Sequence, residues 1–381
     1  MIIPSLLDND LYKFTMMQAV LHRFPDTEAE YEFVCRSGED LRPFKTLIER
    51  EIYDLGEISF DELELSYLKS IRFLKPDFID FLRIFRLNPK KYVKIDEGGT
   101  NLTIKIKGPW LHTILFEVPI LAIISEVYQT CGKEKIDIDV VSKNRNSIFE
   151  SVHHTGVPLS DFGTRRRASF ELQSDMLEYL MSCGNFIGTS NVLFAMQKGL
   201  KPIGTMAHEW IQAGQGLNKV QLKNSQQFML EEWIKEYRGD LGIALTDTIS
   251  TKAFLNDFDL YLAKLYDGVR HDSGDPFQWG NEIIEHYKKL KIDPETKTLV
   301  FSDSLTIEKA NSIYNYFKNR ANVSFGIGTH LTNYTNIKPI SMVIKLVKVN
   351  GNPVAKLSNN PEKTICKDKD YLKYLKHVFE V

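Results

Sequence analysis

The sequence predicts an α/β protein in which a parallel α/β barrel is set into a second, mixed unit built from both chain ends. Three observations carry this expectation. After about residue 130, seven short apolar runs each end in small or polar residues, and most lead into helical spacing. No GxGxxG follows any run, so the fingerprint of a doubly wound nucleotide sheet is missing and a barrel is favoured. Both ends of the chain instead mix helical and alternating periods. The division read from this texture is 1–130 with 338–381 as one discontinuous unit, and 131–337 as the barrel.

In chain order, Leu11, Phe14, Met17 and Leu21 recur at amphipathic spacing and predict a helix over Asp10 to Phe24. Glu28 to Arg36 alternates, with Ala29, Tyr31, Phe33 and Cys35 on one face, and predicts a half-buried strand. Asp61 to Leu87 has helical spacing broken at Pro76. Leu102, Ile104 and Ile106 predict a strand over Asn101 to Lys107. The most apolar stretch, Trp110 to Tyr128, contains Glu117, Pro119 and Glu126, and so reads as a buried helix and not a membrane span.

The seven runs are Val157–Gly163, Phe186–Ser190, Pro202–His208, Gly242–Asp247, Gly268–Gly274, Leu299–Asp303 and Val323–Thr329. In a parallel barrel chemistry gathers on the loops after the strands, and here those positions hold Asp, His, Arg, Ser and Thr. Finally, Ser341–Val349 and Pro353–Leu357 flank Asn350-Gly351, a strong hairpin signal expected to rejoin the N-terminal unit.

With 381 residues the chain suits about two domains. Lys plus Arg is 48 and Asp plus Glu is 50, a formal charge of −2, which argues against a nucleic-acid coat protein and against an acidic disordered chain. Cys35, Cys131, Cys183 and Cys366 are scattered with no CxxC, which excludes a zinc ribbon or thioredoxin motif and suits a reducing compartment. Asp8 and Asp10 stand where a signal peptide needs basic then apolar residues, so a cytoplasmic protein is expected.

Several segments could carry chemistry. Arg165-Arg166-Arg167 follows a strand end and suits a phosphate or carboxylate, although a solvated helix start has the same composition. His208 closes its run as a candidate base, nucleophile or ligand. No second His stands at i+4, which speaks against a metal, and a core histidine bonded to a carbonyl is the plain alternative. Arg270-His271-Asp272-Ser273-Gly274-Asp275-Pro276 is the densest polar cluster, suited to sugar hydroxyls and an anion, or simply to a turn. Ser302, Asp303 and Gly326-Ile327-Gly328-Thr329 end the last two runs, where barrels commonly hold phosphate. His153-His154 reads as surface or interface, and Trp110 and the Phe73–Phe85 segment as core.

Taken together, these strings resemble the nicotinate phosphoribosyltransferases over essentially the whole chain. The resemblance rests on Asp10–Met16, Asp161–Arg166, Gly188–Asn191, Gly204–Glu209, Leu245–Thr248, Arg270–Pro276, Phe301–Asp303 and Phe325–Thr329 in one order. It implies an irregular type II phosphoribosyltransferase barrel plus an α/β sandwich made by both ends. It also implies ATP-coupled synthesis of nicotinate mononucleotide and pyrophosphate from nicotinate and phosphoribosyl pyrophosphate, in NAD salvage, with Mg²⁺. By the same resemblance His208 is phosphorylated by ATP, Asp247 fixes its tautomer, and Asp272 faces the ribose. Arg270 sits near the nicotinate carboxylate, Tyr12 stacks on or closes over the ring, Phe162 and Arg166 join the substrate pocket, and Thr205 lies near nicotinate. Arg165 meets the carboxylate or the pyrophosphate, and Gly326, Gly328 and Thr329 grip the 5′-phosphate beside Ser302 and Asp303.

One departure bears on substrate. Nicotinamide-using relatives carry Asp after the Gly-Thr pair, and here Ser190 stands there, which favours nicotinate. Quinolinate users lack ATP coupling, so His208 argues against them. A barrel glycosidase could use Asp247 and Asp272. An aldolase needs a strand-end lysine, and no run supplies one. No nucleic-acid or membrane partner is expected. Monomer and homodimer both stay open, and the metal ligands are unassigned.

Overall fold

A computed structural model describes residues 1–99, 101–359, 364 and 366–381. Among the described residues thirteen strands run in chain order: β1 Glu28–Cys35, β2 Val93–Gly98, β3 Asn101–Pro109, β4 Leu159–Asp161, β5 Phe186–Thr189, β6 Lys201–Pro202, β7 Arg238–Leu241, β8 Ile243–Leu245, β9 Gly268–His271, β10 Thr298–Phe301, β11 Asn322–Ile327, β12 Met342–Val349 and β13 Asn352–Pro353. Twelve of them form two sheets, and β7 stands outside both. One is antiparallel, in the order β13-β12-β1-β3-β2, and the other is parallel, in the order β6-β5-β4-β11-β10-β9-β8.

All seven runs contribute a strand to the parallel sheet. Its first strand, β4, pairs with its last, β11, as a barrel requires. The circle has one seam, between β6 and β8, which are the sheet's two edges. Here the third run departs from its reading: only Lys201–Pro202 is strand, and Ile203 to Ala207 is loop before the helix His208–Ala213. A side chain spans the seam instead of a ladder, since the Thr205 hydroxyl donates to Ile243 O at 3.0 Å. The sheet is therefore curled and open, with an unpaired stretch where His208 is carried.

The first helix, Leu11–Arg23, lies against this seam. It is buried on every side from Leu11 to Val20, not on one face as its spacing suggests. Its start is pinned to the barrel by Leu11 N–H donating to Ser190 O at 2.8 Å and by Thr15 Oγ1 donating to Thr205 O at 2.6 Å. The broken helical segment is two helices, Glu62–Ser70 and Pro76–Ile84. Asp61 and Glu64 form a reciprocal cap on the first, and Pro76 starts the second, where its missing N–H costs nothing. The stretch Trp110–Cys131 is long and apolar enough to cross a bilayer, but 89% of its most apolar window is buried in the protein core.

The C-terminal hairpin does rejoin the N-terminal strands, with β12 antiparallel to β1. Its second arm is only Asn352–Pro353, shorter than the expected Pro353–Leu357. Val354 N–H still donates to Val347 O of β12 at 3.0 Å, and after it the backbone leaves the sheet because other groups satisfy it. Gln215 exchanges two 2.8 Å hydrogen bonds with Ala355, and Leu357 N–H donates to Thr248 O at 2.9 Å. The tail thus crosses onto the barrel loops after β8 and β9.

Candidate active site

A cavity of about 520 Å³ opens at the carboxyl ends of the parallel strands. This end is set by topology, because every crossover returns a helix and leaves the preceding loop at the mouth. The cavity is lined by Tyr12, Phe162, Arg165, Arg166, Ser190, His208, Arg270, Asp272, Ser302, Asp303, Gly328 and Thr329. Each of these is also a candidate by sequence. Three other expected residues do not line it. Asp247 lies directly behind His208 and is fully buried. Thr205 is committed to the seam. Gly326 sits beneath Phe162, where an added Cβ would come within 2.2 Å of the ring, so its lack of a side chain makes room for that ring.

His208 begins its helix, and its Nε2 is 2.7 Å from Asp247 Oδ1 and 3.6 Å from Asp272 Oδ2. The other oxygen of Asp247 accepts from Ser273 Oγ at 2.5 Å and from Lys356 Nζ at 2.9 Å. Lys356 also lies 3.7 Å from Asp272 Oδ2. Burial, then the Lys356 ammonium, pushes the imidazole down to about 4 against the pull of Asp247. Burial alone would raise Asp247, but His208, Lys356 and the Ser273 hydroxyl hold it well below the usual carboxylate range. The imidazole is therefore neutral at pH 7. Its Nε2–H points at Asp247, which leaves the Nδ1 lone pair as the nucleophilic or proton-accepting end.

His208, Asp247 and Asp272 bring ligand atoms within 4.8 Å of one another. Even so, this set does not fit Mg²⁺. Both Asp247 oxygens are engaged, one donor is an imidazole, and the Lys356 ammonium already supplies the cation between the carboxylates.

The three consecutive arginines separate in role. Arg167 is completely buried and makes a two-pronged pair with Asp8, 2.8 Å on each arm, so it holds the fold. Arg165 and Arg166 face the cavity. Burial, with Arg165 and Arg36 nearby, pushes Arg166 down to about 10. Arg165 lies 3.7 Å from Asp10 and 3.4 Å from Glu117. Arg270 Nη1 donates to Met206 O at 3.3 Å, tying the loop before His208 to β9. Ser302 Oγ donates to Asp272 Oδ1 at 3.1 Å.

Some cavity groups were missed. Lys345 and Lys356 arrive from the C-terminal segment and not from a barrel run, so no strand-end pattern marks either of them. Lys345 is pushed down to about 7, chiefly by burial and then by Lys356. Asp10 accepts from the Ser190 hydroxyl at 2.7 Å. A carboxylate therefore does stand beside Ser190, contributed by the first helix. Asp10 opens one of the strings behind the resemblance, and that was its only signal. His153 and His154 are exposed.

Comparisons with known proteins agree over the whole length. The model of the nicotinate phosphoribosyltransferase (NAPRTase) N-terminal domain matches residues 7–125, and that of the nicotinate phosphoribosyltransferase (NAPRTase) family matches residues 157–381. A nicotinate phosphoribosyltransferase from Acidovorax sp. (strain JS42) is 49% identical over 396 residues, covering 100% of this chain and 99% of the relative. A solved nicotinate phosphoribosyltransferase from Vibrio cholerae superposes with a TM-score of 0.95 at 41% identity, covering 100% of this chain and 94% of the other. One from Porphyromonas gingivalis gives 0.95 at 34% identity with 100% of both chains covered. A match this complete, on a site built as described, means that the chain belongs to the nicotinate phosphoribosyltransferase family.

Proposed function

We propose that this protein joins nicotinate to phosphoribosyl pyrophosphate, giving nicotinate mononucleotide and pyrophosphate, and couples this to ATP hydrolysis through a phosphorylated His208. The observation that carries the reading is the His208 imidazole, bonded through Nε2 to the buried Asp247, in the same cavity as Arg165, Arg166, Arg270 and Asp272.

The nicotinate ring nitrogen is a free nucleophile near neutral pH, so the site needs no strong base for it. Tyr12 and Phe162 hold the ring, and Arg165 or Arg270 meets its carboxylate. The ring nitrogen bonds to the ribose anomeric carbon as the carbon–oxygen bond to diphosphate breaks. Asp272 faces the ribose and favours the positive charge that builds there. Gly328 and Thr329, with Ser302 and Asp303 beside them, hold the 5′-phosphate. In the coupled step Nδ1 of His208 attacks the γ-phosphorus of ATP and ADP leaves. Asp247 holds the Nε2 proton and steadies the charge on the ring, and water later releases phosphate. Mg²⁺ enters this reading only as a companion of the diphosphate.

A glycosidase reading fits poorly. Asp247 is fully buried with both oxygens engaged by His208, Ser273 and Lys356, and Lys356 also reaches Asp272, so neither a free nucleophile nor room for a water stands between the two carboxylates. The test is direct. Pyrophosphate release should require both nicotinate and phosphoribosyl pyrophosphate and should be stimulated by ATP. No nicotinate-dependent release, or equal release with nicotinamide, overturns the reading.

A further inference from the structure

We propose that Lys13, which has no access to solvent, is a positioning residue: it sets how far Arg165 reaches into the cavity. This inference rests on the proposed function in taking Arg165 as part of the substrate-anion subsite.

Lys13 is fully buried on the first helix and lies outside the cavity. Its ammonium pairs with two carboxylates, Glu117 at 2.7 Å and Glu209. Glu209 is the residue after His208, and its other oxygen accepts from Tyr31 Oη at 2.5 Å and Trp110 Nε1 at 2.7 Å. Glu209 is thus fully engaged by the fold and anchors Lys13. Glu117 is different, because it is shared. One oxygen meets Lys13 at 2.7 Å and the other meets Arg165 at 3.4 Å.

The unequal sharing has a consequence. Arg165 is 42% exposed and turned to the cavity, so it can move, whereas Lys13 cannot. A buried carboxylate needs a compensating cation close by. While Lys13 fills that need, Arg165 stays a loose partner of Glu117 and remains available to an incoming anion. Without Lys13, Glu117 would keep Arg165 as its direct ion-pair partner among the described residues, with Lys345 acting only from further off, and would draw the guanidinium inward. The closer pair, out of reach of substrate, thereby governs the looser one within reach.

The test compares Lys13→Met, Glu117→Gln and the double variant, reading nicotinate KM and kcat together with melting temperature. Lys13→Met should raise the nicotinate KM roughly tenfold, the size of one charge-assisted contact, with kcat changed far less. Adding Glu117→Gln should bring KM back towards wild type and raise the melting temperature above that of Lys13→Met. Glu117→Gln alone should leave KM equal to or below wild type, and this arm stands even where Lys13→Met does not fold. A raised KM in Glu117→Gln, or a double variant no better than Lys13→Met in both readouts, overturns the proposal. A wild-type protein without nicotinate-dependent pyrophosphate release sinks the function instead. The melting comparison then decides on Lys13 alone, and a double variant no more stable than Lys13→Met counts against it.

Discussion

His208 shows how one residue's surroundings turn a generic side chain into a specific tool. From the sequence it was equally a core histidine. It is in fact buried and bonded to a carboxylate, but a lysine and a low-dielectric setting keep its ring neutral. The same depression makes a stability prediction. Unfolded, the ring takes a proton near its ordinary 6.5, and folded only near 4, so between these values the unfolded chain binds more protons. Stability contributed by this site should fall as pH drops through that window, and His208→Asn should flatten the slope of melting temperature against pH there. An unchanged slope would mean that the ring is not held neutral. Ser190 yields a second prediction. Its hydroxyl already donates to Asp10, so Ser190→Asp places two carboxylates in contact in a buried corner. Nicotinate KM should rise by about tenfold or more, and the protein should melt earlier. Unchanged nicotinate kinetics would mean that this corner does not face the substrate carboxylate.

At the scale of elements, legibility followed periodicity. Six of the seven barrel strands announced themselves as short apolar runs closed by polar residues, whereas the apolar residues of the third run lie in loop and only Lys201–Pro202 is strand. The two helices around Pro76 did so because helical spacing breaks at the proline, which starts the second helix. The stretch after Pro353 gave no such signal. The hairpin signal at Asn350-Gly351 implies a strand to Leu357, yet the hydrogen bonds go to Gln215 and Thr248, partners far away in sequence that no local pattern reveals. For the same reason Lys356 escaped notice, although it reaches both Asp247 and Asp272. Removing it as Lys356→Met leaves two buried carboxylates without their ammonium. A loss of about 3 kcal/mol in unfolding free energy is expected, together with weakened ATP-dependent turnover. A melting curve matching wild type would show that the ammonium is not what balances these carboxylates.

For the molecule as a whole, the near-neutral charge of −2 excluded only large polyanions. The folded chain shows how neutrality and anion binding coexist. Arg165, Arg166, Arg270 and two lysines converge on one cavity from the barrel loops and the C-terminal segment, while opposite charges pair elsewhere. The open seam between β6 and β8 belongs at this scale too. A closed ladder would have paired the residues before His208, whereas the gap lets the first helix dock and leaves that loop to side-chain bonds. The central claim is that His208 carries phosphate between ATP and the transferase reaction. It is tested most directly by incubating the protein with γ-labelled ATP and then quenching. Acid-labile, base-stable label on wild type, absent from His208→Ala and discharged when nicotinate and phosphoribosyl pyrophosphate are added, is the predicted result. Label that persists in His208→Ala, or wild type that takes up none while still forming nicotinate mononucleotide, would contradict it.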